Sequence, residues 1–276
     1  MRNPFKKKPR SVDFTAAGLP SSRPALFWDI LRNEHRKLFG AAVLLSLFLL
    51  PFIALHIFTD FELLMFQKNE VNEVWPHYIF LAALPLCTAI YGVGLGGVLR
   101  IIRRFCYLES VFFWEDFKLG LKQNAKQYAL FSFLIGVCFS ICYLGRITHS
   151  EDILWNIPFG IFALILFPCL MFAFVPIATY SNSFMQNLSL SSRIYLKAFL
   201  TNLLPLILFL SPLFFEFIPD LAVKYIVFLL FSILVWPLFL LGFFLYQTYL
   251  LDKYINKEKF PELYDRGIHR KEKSKN

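Results

Sequence analysis

The sequence predicts an all-α polytopic membrane protein: a transmembrane helix bundle of six spans, with an interfacial amphipathic helix between spans two and three. Three observations predict it. Of 276 residues, 57% are hydrophobic and only 17% charged, whereas a soluble domain carries about 25% charged and about 45–50% apolar residues. The apolar residues come in six long blocks rather than periodic stripes, and such an excess needs a non-aqueous solvent. Lys and Arg alternate strongly between the connections that separate the blocks.

The blocks run over 39–58, 78–99, 128–147, 153–179, 198–218 and 225–251. A hydrocarbon core about 30 Å thick takes about 20 helical residues, so each block crosses once. The fourth and sixth are 27 residues long and must tilt, bend or extend past the membrane. Ahead of the first block, residues 1–24 form a flexible basic arm with Lys6, Lys7, Lys8 and Arg10, suited to an anionic leaflet. A short amphipathic helix over 27–38, opening with Phe27 and Trp28, leads into the first span. That span is too long for a removed signal peptide and no small-residue cleavage site follows it. Residues 25–251 thus make one transmembrane domain, and 252–276 a charged, solvated cytoplasmic tail.

Orientation follows from the cations. The segment before the first span holds 9 Lys and Arg, the second connection 6, the fourth 2 and the tail 8. The other three connections hold one each: Lys68, Arg146 and Lys224. With 25 on one side against 3 on the other, the positive-inside rule places both termini in the cytoplasm, in a multi-pass plasma-membrane protein. The net charge of +9 is then spent on anionic headgroups, and no nucleic-acid partner is expected.

Pro51, Pro85, Pro158, Pro168, Pro176, Pro205, Pro212 and Pro237 fall inside spans. Each removes a backbone donor, and neighbouring helices must satisfy the carbonyl left over. Kinked spans can line a cavity, although proline is in any case commoner in membrane helices than in soluble ones. Cys87, Cys138, Cys142 and Cys169 lie in apolar segments and Cys106 after a basic run, without disulfide spacing. Cys138 and Cys142 are one helical turn apart; a metal pair would need His or Asp partners nearby, so small apolar packing residues are the better reading.

Absences narrow the function. All 19 Asp and Glu fall in loops, tails or span ends, whereas a proton- or ion-coupled carrier usually keeps an ionisable group at depth. No Walker loop, H-E-x-x-H or G-x-S-x-G occurs, and the five His are scattered. No catalytic, cofactor or metal residue is expected, and an intramembrane enzyme is the least favoured class.

Two stretches stand out. Residues 92–97 match G-x-G-x-x-G, but a dinucleotide site needs that pattern between a strand and a helix, not inside an apolar span. Gly92 and Gly96 also form G-x-x-x-G, which lets another helix approach closely, and packing is preferred over an open passage. After them, Arg100, Arg103 and Arg104 form a basic membrane-surface cluster. The run FWEDFKLGLKQNAKQ (113–127) places Phe113, Phe117 and Leu121 on one helical face, with Lys118, Lys122 and Lys126 mostly opposite. It reads as a helix lying along the interface, anchored by Trp114. Its role is either passive anchoring or partner docking through Phe113, Trp114, Asp116, Phe117, Lys118, Leu121, Asn124 and Lys126.

Three stretches carry a family resemblance: GVGLGGVLR (92–100), the 113–127 run, and FAFVPIATY (172–180) followed by Asn182. The second resembles an F-x-x-x-F-K-x-x-x-K-x-N-x-K-Q pattern, and the chain from 27 to 251 resembles the YesL-type family of small six-span bacterial membrane proteins. The resemblance implies a bacterial cytoplasmic membrane protein of unknown activity. It also implies an association with carbohydrate import and sensor kinases, because genes of that family often accompany such systems.

The leading expectation is therefore a non-enzymatic accessory or interaction protein linked to carbohydrate uptake or its regulation. Its partners would be the bilayer and a sugar-import permease or sensor kinase. The alternative is a transporter or permease subunit for a small solute such as a sugar. The fourth connection, 181–197, contains no E-A-A motif and no glycine, which disfavours the permease-subunit version.

Overall fold

A computed structural model describes residues 19–68, 75–148, 154 and 156–269. The basic arm over 1–18 and the Lys-rich end over 270–276 lie outside the described residues. Within them every regular element is helical. We number the helices α1 (Arg23–Lys68), α2 (Trp75–Cys106), α3 (Phe113–Thr148), α4 (Asn156–Thr179), α5 (Phe184–Lys197), α6 (Phe199–Leu210), α7 (Leu221–Leu234) and α8 (Trp236–Lys259). A 3-10 turn, Ser211–Phe217, follows α6.

Helices α1 to α4 are long and apolar enough to cross a membrane. The pairs α5–α6, bent by 110°, and α7–α8, bent by 43°, raise the number to six if each pair is one span. The apolar helices fit an integral membrane protein. The fifth predicted block, 198–218, departs from a single straight helix. Its α-helical part ends after 12 residues, at Leu210, and gives way to the 3-10 turn containing Pro212.

The starts are locally encoded. Ser22 Oγ accepts from Ala25 N ahead of α1, with Pro24 in the first turn. Asp116 Oδ2 reaches back to Phe112 N at 2.8 Å and ties the start of α3. Ser183 and Gln186 form a capping box on α5, and Asp220 caps α7 through Val223 N.

Two expected interfacial helices are not separate elements. The 27–38 segment is the beginning of the 46-residue α1, and the 113–127 run is the beginning of the 36-residue α3. No proline interrupts either junction, and Gly40 in α1 makes room for the Phe113 ring, 3.4 Å from where a Cβ would stand.

Helices α2 and α3 pack closest. A Cβ on Gly92 would lie 2.6 Å from the Tyr128 carbonyl oxygen, and one on Gly120 would collide with the Gly96 carbonyl. Backbones that approach this closely tolerate only glycine at the contact.

The prolines leave carbonyls that other side chains take up. Pro85 cannot donate to Leu81, whose oxygen instead accepts from Ser140 of α3 at 2.8 Å. Pro168 frees Leu164, which accepts from the Tyr195 hydroxyl of α5. Cys169, whose carbonyl is released where α4 breaks, accepts from Ser191. Amphipathic α5 thus stitches a helix containing a five-residue π turn, Phe162–Leu166.

Candidate functional site

Between α1, α2, α3, α4, the end of α6, the 3-10 turn, α7 and the start of α8 lies a cavity of about 710 Å³, within the range of about 300–1,000 Å³ usual for ligand sites. It follows α1 from Leu45 to Leu63 and α2 from His77 to Leu95. At 1.5 Å per residue each stretch is about 27 Å long, close to the hydrocarbon thickness of about 30 Å.

Most of the lining is aromatic or aliphatic. Phe209 meets Trp236 edge-on at 5.4 Å, and Trp236 Nε1 donates to the Tyr91 hydroxyl at 2.7 Å. Hydroxyls along the wall are turned inward on their own helices: Ser46 donates to Ala42 O and Ser232 to Phe228 O. A side-chain hydroxyl so engaged presents an almost apolar surface.

One end differs. Lys224 Nζ lies 2.7 Å from Asp60 Oδ2, and the Tyr225 hydroxyl donates to the same oxygen at 2.7 Å. Among the described residues, Asp60 and Lys224 are the only Asp, Glu, Lys or Arg on the lining; His56, Thr59, His77 and Tyr143 complete the polar end. His56 is held between Phe52 and Phe80, with ring centroids 4.6 Å from each. Lys224 sits in the first turn of α7, where the helix dipole disfavours a cation. Its position is therefore explained by Asp60 rather than by helix stability. The side chain of Lys224 is 7% exposed and that of Asp60 19%. Removing one member of a pair this buried is costly, because the charge that stays behind loses an opposite charge 2.7 Å away.

Sequence reasoning missed this site. Asp60 and Lys224 were expected just beyond span ends, and they are 164 residues apart in the chain. One signal was available: opposite charges a few residues beyond spans, in connections assigned to the same side.

The residues singled out in the sequence gather at the other end of the bundle. Asp116, 3% exposed, receives Arg104 Nε at 2.9 Å and Arg100 Nε at 3.7 Å. Arg100 also donates to Gln123 Oε1 and Arg104 to Ser110 O, both at 2.6 Å. Arg103 lies 3.9 Å from Glu109, which Arg266 reaches at 3.1 Å. The arginines expected at a membrane surface thus join α2, the start of α3 and the tail.

Phe117 is buried over Gly97 and beside Phe48, while Phe113 and Leu121 are half-buried against the core. The apolar face expected to lie on an interface therefore faces α1 and α2, because Gly96 and Gly97 open a groove for it. Trp114, Lys118 and Lys126 are exposed and Asn124 is half-buried. Gly92 and Gly96 both face α3.

The tail also packs. Asp252 and Asn256 are fully buried on α8, and Arg23 donates to Asp252 Oδ2 at 2.8 Å and to Arg266 O at 2.9 Å. His269 N donates to Pro20 O, closing the described ends on each other. Burial pushes the Tyr107 phenol up to about 12 and raises that of Tyr180, which donates to Asn256. Residues 252–269 are therefore part of the folded body rather than a solvated face, since Leu263 and Ile268 bury apolar side chains there.

Cys142 Sγ points to the Pro158 carbonyl at 3.7 Å. Among the described residues no group of three His, Cys, Asp or Glu could hold a metal ion. No protein-family model, curated protein or solved structure matches the chain. The resemblance to the YesL-type family stands on the three quoted stretches alone.

Proposed function

We propose that the chain is a membrane protein that binds an amphipathic molecule in the cavity between its helices, as a carrier or a lipid-handling protein. One observation carries this reading: a cavity about 27 Å long has a mostly apolar body and, among the described residues, its charged groups gathered at one end, Asp60 and Lys224 with Tyr225. A long apolar chain with one polar head matches that distribution. A free sugar, with hydroxyls all round, would leave most of them without partners and at a cost. The geometry therefore supports the transport alternative, with an amphiphile in place of the sugar. The distribution of Lys and Arg supports an orientation with both termini cytoplasmic, which places the Asp60 end at the opposite face.

The test is photolabelling of the full chain in nanodiscs with a long-chain alcohol bearing a diazirine. The expected adducts fall on cavity peptides of α1 and α7 and are suppressed by excess unlabelled alcohol. Adducts confined to outward residues such as Leu200 and Phe217, at 79% and 81% exposure, would remove the basis for the reading.

A second reading, a non-enzymatic accessory role, is favoured by Trp114, 60% exposed beside exposed Lys118 and Lys126 once Phe117 is buried. Its link to a sugar permease or sensor kinase in a bacterial cytoplasmic membrane rests on the family resemblance. Mild-detergent purification of the tagged chain tests it. A stoichiometric partner lost on Trp114→Ala supports the reading, and recovery of the chain alone removes its support.

A further inference from the structure

We propose, resting on the amphiphile reading above, that Tyr91 and Ser132 form a second polar seat in the cavity, for one uncharged oxygen acceptor near the far end of the ligand's chain. The acceptor is of carbonyl type, as in a ketone or an ester. Tyr91 lies about 21 Å along α2 from His77 at the polar end. Ser132 is at the same level on α3: its Oγ would be 2.6 Å from a Cβ on Gly92, the residue after Tyr91. Both side chains line the cavity.

The chemistry of the seat follows from what each hydroxyl already does. The Tyr91 oxygen accepts from Trp236 Nε1 at 2.7 Å, so Tyr91 has chiefly its own proton left to offer. Among the described residues no acceptor takes that proton, and the Ser132 hydroxyl makes no hydrogen bond. In this they differ from Ser46, Thr88 and Ser232, which donate to carbonyls of their own helices. Accepting from the indole polarises the phenol and strengthens it as a donor, and Phe209 holds Trp236 edge-on at 5.4 Å. A donor left unmet in an apolar wall is costly, and a carbonyl oxygen has two lone pairs for the two protons. A charged group is disfavoured there. Asp60 and Lys224, the charged residues of the described lining, stand at the other end, so an ion beside Tyr91 would be desolvated without a counter-charge.

The experiment uses the full chain in nanodiscs of neutral phosphatidylcholine, labelled at the cavity by the diazirine alcohol. Competitors of one chain length are hexadecanol, hexadecanol with a ketone next to its terminal methyl, the same ketone at mid-chain, and hexadecanol ending in a carboxylate. The terminal ketone is expected to protect at about fivefold lower concentration than hexadecanol, the size of one net hydrogen bond. The mid-chain ketone and the carboxylate should protect less well than hexadecanol, one oxygen facing apolar wall and the other lacking a counter-charge. Tyr91→Phe should bring the terminal ketone to the level of hexadecanol measured on the same variant. Ser132→Ala should reduce the ketone's advantage, and serves if Tyr91→Phe does not fold. Equal protection by hexadecanol and the terminal ketone, or a greater gain from the mid-chain ketone or the carboxylate, overturns the seat while leaving the amphiphile reading intact. So does an advantage of the terminal ketone that survives in full on the folded variants. Absence of cavity labelling removes the amphiphile reading, and this inference with it.

Discussion

At the scale of single residues, two kinds of polar contact hold the bundle. The first satisfies carbonyls that prolines have freed: Ser140 on Leu81 and Tyr195 on Leu164. Hydrogen bonds between membrane helices contribute from about 0.6 kcal/mol on average to roughly 1–2 kcal/mol. Ser140→Ala and Tyr195→Phe are each expected to lower stability by about that amount, read as thermal unfolding in detergent. The second is the Asp60–Lys224 pair. Asp60→Ala is expected to lower stability by about 3 kcal/mol, because it takes a carboxylate away from a buried ammonium. The exchange Asp60→Lys with Lys224→Asp should regain part of that loss, and no recovery would show that the pair's charges do not interact as described. The prolines were legible in the sequence. Their partners were not, because Ser140 and Tyr195 lie on other helices and the 3.6-residue period says nothing about which helices touch.

At the scale of elements, glycine decides how α2 meets α3. Gly92→Ala places a methyl 2.6 Å from the Tyr128 carbonyl oxygen and is expected to cost about 1–3 kcal/mol. Gly160→Ala is the control: nothing lies within 4 Å of its Cβ, and replacing a helical glycine there should be neutral or stabilising. Equal effects of the two would contradict the packing. The helical class and the first four apolar blocks were legible from block length and composition. The continuity of 113–127 with the following block was not. Phe117, Lys118 and Leu121 give the same amphipathic pattern whether the apolar face meets lipid or a glycine groove on a neighbouring helix. The end of α6 at Leu210 and the 3-10 turn that follows were hidden similarly, since the mostly apolar run 198–218 reads as one span.

At the scale of the whole molecule, opposite ends of the bundle have opposite characters. One end is closed by ion pairs that join the first turn of α1, the ends of α2 and α8 and the tail, with Arg23 bonded to both Asp252 and Arg266. Truncation after Phe260 would remove Leu263, Arg266 and Ile268 and expose the apolar surface they cover. A lower unfolding temperature with a native helical spectrum is the expected result. The other end holds the Asp60 carboxylate and the Lys224 ammonium at the head of a long apolar cavity. Sequence reasoning could not see that cavity. Its walls come from seven helices and a turn, and Asp60 and Lys224 each resemble an ordinary charge at a span boundary.

The most direct test is native mass spectrometry of the chain released from its own membrane in mild detergent, beside Ser232→Phe, which places a ring in the cavity. The account predicts a one-to-one amphiphile adduct on the wild-type chain, absent from the variant although it stays folded. No adduct on the wild type, or the same adduct on both, would contradict it.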